Sequence, residues 1–180
     1  MKNIEKFIAP ALIIIAAVGL RLVPHMPNFA PIGAMALFGG AYLDKRLAIL
    51  LPLAAMLVSD FFIGFYSPVV MLSVYGSFVL VGLMGMQLRN RKNPKNVTLA
   101  AITSSILFFL ITNFAVWAAG SYSRGLEGLL ASYIAGIPFF RGTLLGDLFY
   151  TVLFFGGFEL LKSILFNKKL AFVKSHQPSH

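Results

Sequence analysis

The stretch Thr98 to Gly120 contains no Asp, Glu, Lys or Arg, and neither does Pro68 to Leu88. Each is about the 20 residues that a helix needs to cross the hydrocarbon core of a bilayer. Similar apolar runs occupy Phe7 to Val23, Arg46 to Tyr66 and Thr143 to Phe166, while Ala30 to Leu43 is shorter and rich in small residues. A chain punctuated this way is expected to be an all-α polytopic membrane protein. Six transmembrane helices would form one integral domain over residues 1–180.

Composition agrees. The chain is 58% apolar and 12% charged, against about a quarter charged residues in soluble globules. Disorder needs the opposite balance. No cysteine is present, which removes disulfides, thiolate metal sites and thiol chemistry.

The net charge of +9 would suggest nucleic acid if a soluble basic surface existed to bind it. Instead the basic residues gather at the ends of the apolar runs, where they set topology. With six spans and a cytoplasmic N-terminus, twelve of the fifteen Lys/Arg lie inside and only Arg21, Arg124 and Arg141 lie outside. Omitting the short second span would turn the Arg89–Lys95 cluster outward. The expected partners are the lipid bilayer and a small-molecule solute, with no nucleic acid, and both termini are expected to be cytoplasmic. The first span lacks a small-residue cleavage site and is read as retained rather than as a secretory signal. The sequon at Asn96 falls in an inner loop and has no role.

Three connections stand out. Arg21 to Phe29, with Pro24, His25, Pro27 and Asn28, forms a stiff outer turn. Asn90 to Asn96 is a basic inner loop. Ser121 to Gly142 places Leu126, Leu129, Leu130, Tyr133 and Ile134 at helical spacing, which predicts a separate interfacial helix ended by Pro138. That helix is either a lid or a plain seal. In the second span, Ala30/Ala34 and Ala36/Gly40 are spaced by four, which suits tight internal packing or a docking face for another membrane subunit.

Ionisable groups inside a bilayer are costly and are functional candidates by default. The expected topology places Asp60, Asn113, Trp117 and Asp147 in the outer parts of spans three, five and six, with Asp147 about one turn below the surface. Asn28, Tyr122 and Arg141 lie close by, and the inner halves are largely apolar. This pattern predicts a binding pocket open to the outside. Each residue also has a structural reading: Asp60 and Asp147 can pair with Arg21 or Arg141, Asn113 can join helices, and Trp117 can anchor at the interface.

Two buried aspartates also raise an intramembrane aspartyl protease, which needs a carboxylate pair sharing a proton. Gly146-Asp147 lacks the preceding glycine of the Gly-x-Gly-Asp context of such enzymes. A third alternative is a non-catalytic scaffold that binds partners or anionic lipid. Outside the C-terminal tail the sole histidine is His25, so neither a metal cluster nor a serine triad can be assembled. No enzymatic activity, metal or cofactor is expected.

The stretch Pro27-Asn28-Phe29-Ala30-Pro31-Ile32-Gly33-Ala34, continuing through Phe38-Gly39-Gly40-Ala41 to Ser59-Asp60, resembles the early region of the substrate-binding S components of energy-coupling factor vitamin transporters. Thr112-Asn113-Phe114-Ala115-Val116-Trp117 and Pro138-Phe139-Phe140-Arg141 through Gly146-Asp147 are similar to a group of small bacterial six-helix membrane proteins of uncharacterised activity. The S-component resemblance implies a bacterial inner-membrane protein that captures a vitamin or similar micronutrient from the outer side. It also implies a partner: an energy-coupling transmembrane subunit with cytoplasmic ATPases, because the chain itself has no Walker motif. In S components the small-residue docking pairs often lie in the first span, whereas here they lie in the second.

Overall fold

The structure is a computed structural model that describes residues 16–23, 26–160 and 162–164. The described part of the first helix, α1, covers residues 16–22. It is followed by α2 (Ile32–Tyr42), α3 (Lys45–Ile63), α4 (Pro68–Gln87), α5 (Pro94–Ala118) and α6 (Leu126–Thr151). Among the described residues there is no strand. The expected start of the first span at Phe7, the basic residues Lys2 and Lys6, His25, and the tail beyond Ile164 lie outside the described residues.

Local signals explain the helix ends. Asp44 caps α3 by accepting from the backbone N–H groups of Arg46 (2.9 Å) and Leu47 (3.1 Å). Asn93 caps α5 by accepting from Asn96 N–H (2.8 Å), with Pro94 in the first turn. At the end of α3, Gly64 takes φ 108°, a value that side chains disfavour, and this reverses the chain into α4.

Four helices are long and apolar enough to cross a membrane: α3, α4, α5 and the helical run from Leu126 to Ile164. Their outward faces are apolar and uncovered by the chain; Phe61 and Leu72 are each 74% exposed and Val152 is 72% exposed. Apolar surface of this kind fits lipid as the surrounding solvent. Consecutive long helices run antiparallel. Tyr75 of α4 reaches Asp60 of α3, Phe78 of α4 stacks on Phe108 of α5 (5.3 Å between centroids), and Phe109 of α5 meets Phe140 of α6 (5.0 Å).

The expected short second span is α2, and it is not built like the others. Its eleven residues rise only ~17 Å, about half a bilayer core. Nine of them are buried, as expected of a helix that is apolar all round. The helix packs against α3, α4, α5 and α6, in the middle of the bundle. Backbones meet closely at one end. A Cβ on Gly40 would fall on the Gly82 carbonyl, and one on Gly85 would fall on the Leu37 carbonyl. Arg89 then closes α2 by donating to the carbonyls of Gly40 (Nε, 2.9 Å) and Leu43 (Nη2, 2.6 Å).

The last helix departs from expectation. Instead of an interfacial helix ended by Pro138 and a fresh span from Thr143, α6 runs without a break from Leu126 through Pro138 to Thr151. It continues through a π-helical turn at Val152–Gly156. An interior proline forfeits a backbone hydrogen bond, but contacts on both sides of Pro138 hold the helix to α5. Ser132 donates to the Asn113 carbonyl (2.6 Å), Tyr133 to the Leu110 carbonyl (2.9 Å), and Phe140 packs on Phe109. The buried small residues Gly128, Ser132, Gly136, Gly142, Thr143 and Gly146 let neighbouring backbone and side chains approach along its length.

Candidate functional site: a cavity at one end of the bundle

A cavity of about 440 Å³ opens among the helices, within the usual size range of small-molecule pockets. It is walled by α4 from Val70 through Val74 and Phe78 to Val81, and by α5 from Val116 back to Ser104. Val70 to Val81 amounts to ~17 Å of helix, so the cavity runs deep. Its mouth is formed by the turn around Asn28, by Tyr66 between α3 and α4, and by Tyr122 between α5 and α6. Tyr66 lies outside the helices. Loss of hydration lifts its phenol to about 12, the nearby Asp60 carboxylate adding to the rise and Arg21 opposing it. It therefore presents an O–H donor at neutral pH.

The turn over residues 26–30 lies against α6, exposed at Met26, Pro27 and Asn28 and half-buried at Phe29 and Ala30. Phe29 N–H donates to the Met26 carbonyl (3.0 Å) and Ala30 N–H to the Asn28 carbonyl (3.0 Å), while Asn28 takes φ 60°. Glycines on α6 receive it: a Cβ on Gly142 would strike the Pro27 carbonyl, and one on Gly146 would crowd Phe29 and Ala30. Non-helical backbone in a membrane protein is tolerated where it lines a cavity, and Asn28 and Ala30 line this one. Here α2 starts at the cavity, with Ile32 and Gly33 in the lining.

Of the residues expected to form a site, the structure places Asn28, Asn113, Tyr122 and Asp147 on the cavity. Asp60 is fully buried behind the wall. Its carboxylate accepts from Arg21 (Nη1, 2.7 Å) and from Tyr75 (Oη, 2.9 Å), and the same Arg21 nitrogen reaches Ser59 Oγ. Trp117 stands outside the lining, donating from Nε1 to the Ser123 carbonyl (3.2 Å). Arg141 is exposed and also outside it. Ala34, Ala36 and Gly40 are buried against the chain's own helices, so this face is internal packing and is not open to a second subunit. Ala30 sits half-buried in the turn.

Asp147 lies deeper than its sequence position suggests. Because α6 begins at Leu126, Asp147 sits level with Ser105, whose hydroxyl donates to it (2.7 Å). Ser105 is thirteen residues before the end of α5, ~20 Å along the helix. On its other side the carboxylate lies directly against Gly33 at the start of α2, where a Cβ would collide with it. Polar groups thus reach the middle of the bundle rather than stopping in one outer third. The two aspartates keep separate partners and share no hydrogen bond.

Sequence reasoning passed over Arg21, Ser104, Thr112, Ser132, Gly136 and Thr143 as cavity residues. For Ser132, Gly136 and Thr143 the signal was present as small or hydroxylated residues at four- and seven-residue spacing on α6, and Ser104 and Thr112 lie about two turns apart on α5. Gly136 makes room for the Asn113 carboxamide, which donates back to the Phe109 carbonyl (2.8 Å). No curated protein and no solved structure matches the chain. Residues 1–170 match the family model DUF6580, and the chain therefore belongs to that family, which is described as one of unknown function.

Proposed function

We propose that this chain is a membrane-embedded solute-binding subunit that captures a small, micronutrient-like molecule from the extracytoplasmic side, in the manner of the S components it resembles. The observation that carries the reading is the 440 Å³ cavity, lined by residues of every described helix, with apolar walls and a few convergent polar side chains. Lys45, Arg46, Arg89, Arg91, Lys92 and Lys95 gather at the opposite end of the bundle, which by the positive-inside rule supports a cavity facing outward. On this reading α1, the turn with α2, and the four long helices make six passes. Release of the solute inward would require a partner, and the resemblance points to an energy-coupling subunit with cytoplasmic ATPases.

The test is native mass spectrometry of protein extracted from bacterial membranes in mild detergent, set beside Val70→Trp, which fills the cavity near its mouth. A small molecule should travel with the wild type and be lost from the variant. If the wild type and the folded Val70→Trp protein carry the same complement of small molecules, the capture reading is wrong.

A further inference from the structure

Resting on the capture reading, we infer that the cavity selects solutes carrying a protonated nitrogen, held by the Asp147 carboxylate with the solute's apolar body against Phe78 and Phe108. The charges around the cavity lead there. Arg21 lines it but is already paired with Asp60. The other polar side chains on the wall, Asn28 and Asn113 among them, are carboxamides and hydroxyls. Asp147 is the exception. Among the described residues the ion pairs are Arg21–Asp60 and Glu159–Lys162, so no Lys or Arg reaches it.

Burial works against a charge on Asp147, and the chain compensates for it only in part. Ser105 donates to one oxygen, and the first turn of α2, which starts at Ile32 and carries the partial positive charge of a helix N-terminus, passes beside it at Gly33. An ionised carboxylate has about four acceptor sites and one side-chain donor is present. The residue is 5% exposed, and it meets the cavity. A buried charge with no counter-ion is costly, and a cation entering the cavity removes that cost. An inorganic ion suits the space poorly. No group of three or more His, Asp or Glu gathers among the described residues, and Val74, Phe78, Val81 and Phe108 make much of the wall apolar. Aromatic faces and a carboxylate together fit an organic ammonium.

The experiment is ligand-induced thermal stabilisation of the purified chain in detergent, with a panel of aromatic amines and their alcohol and carboxylate analogues, such as tryptamine, tryptophol and indoleacetate. Amines should bind roughly tenfold or more tighter than their alcohols, as expected of a charged hydrogen bond, and carboxylates weakest. Asp147→Asn, nearly isosteric and able to keep the Ser105 bond, should abolish the preference; Asp147→Glu should keep some of it. Monodisperse elution of both variants confirms that they fold. The inference is overturned if amines bind no better than alcohols to the wild type, including the case where neither binds, or if the preference survives Asp147→Asn. Stabilisation by sodium chloride over choline chloride that depends on Asp147 would also overturn it, by assigning the carboxylate to a metal ion. The capture reading is judged separately by the cavity-filling variant, so the two can fail independently.

Discussion

Gly33 on α2 lies against the Asp147 carboxylate on α6 with no room for a side chain between them. The contact joins the first turn of a half-length helix to the deepest acid of the cavity, and its consequence is measurable. Gly33→Ala puts a methyl group where Asp147 Oδ1 now sits, so the carboxylate must swing off Ser105. Overpacking of this kind costs about 1–3 kcal/mol. Because the obstacle is one side chain and not backbone, removing it should restore the fold. We expect Gly33→Ala to lower the unfolding midpoint in detergent, and the double variant Gly33→Ala/Asp147→Ala to be less destabilised than the two singles sum to. Additive effects would mean that the two residues do not touch.

Gly40 offers the contrast. A Cβ there meets the carbonyl of Gly82 and the backbone of Gly85, and none of these atoms can rotate away. Gly40→Ala should force α2 and α4 apart and cost at least as much as Gly33→Ala, with no single side-chain deletion that rescues it. Gly76, also on α4, has open space around its Cα, so Gly76→Ala should be neutral or gain up to about 1 kcal/mol in helix propensity. Thermal unfolding of the three proteins in the same detergent checks the ranking.

The long apolar helices were legible because lipid imposes one requirement on every exposed residue, and a run such as Pro68 to Leu88 records it directly. The pairing of Asp60 with Arg21 was equally foreseeable, since a buried acid needs a cation and few are within reach. The path of α6 was not. Pro138 and the aromatic pair after it read as a stop, and nothing local shows that Ser132, Tyr133 and Phe140 each find partners on α5. That one boundary decides the depth of Asp147, so the error carried through to the shape of the site. Small residues in α2 were visible too, but spacing alone cannot say whether the facing surface belongs to the same chain.

Arg89 should prove irreplaceable by lysine. Its Nε and Nη2 hold two different carbonyls, Gly40 and Leu43, at the end of α2. A lysine ammonium is a single point charge and cannot reproduce that fork. Hydrogen bonds to charged groups are worth about 1.5–3 kcal/mol each. Arg89→Lys should therefore lose a substantial part of what Arg89→Ala loses. Protease protection of the segment around Leu43 and Asp44 is the direct readout: cleavage should rise in both variants, and unchanged protection in Arg89→Ala would show that the two bonds do not secure the helix end.

The Arg21–Asp60 pair gives the sharpest energetic test, because the acid is fully buried and the guanidinium nearly so, with 0% and 17% side-chain exposure. Removing one partner of such a pair strands the other charge, at about 3–5 kcal/mol. Among the described residues Arg21→Met leaves Asp60 with only Tyr75 as a side-chain donor, whereas Asp60→Asn leaves the cation with a neutral acceptor of the same shape. The first should be the more damaging. The double variant Arg21→Met/Asp60→Leu replaces the pair with apolar groups suited to the interior, and such replacements are often neutral or stabilising. Its stability should therefore lie above that of Arg21→Met alone, with a coupling energy well outside the few tenths expected of independent sites. Equilibrium unfolding of the four proteins in one detergent measures that coupling. A value near zero would mean that Arg21 is held at Asp60 by its neighbours and not by charge, and would free its guanidinium to act on whatever enters the cavity beside it.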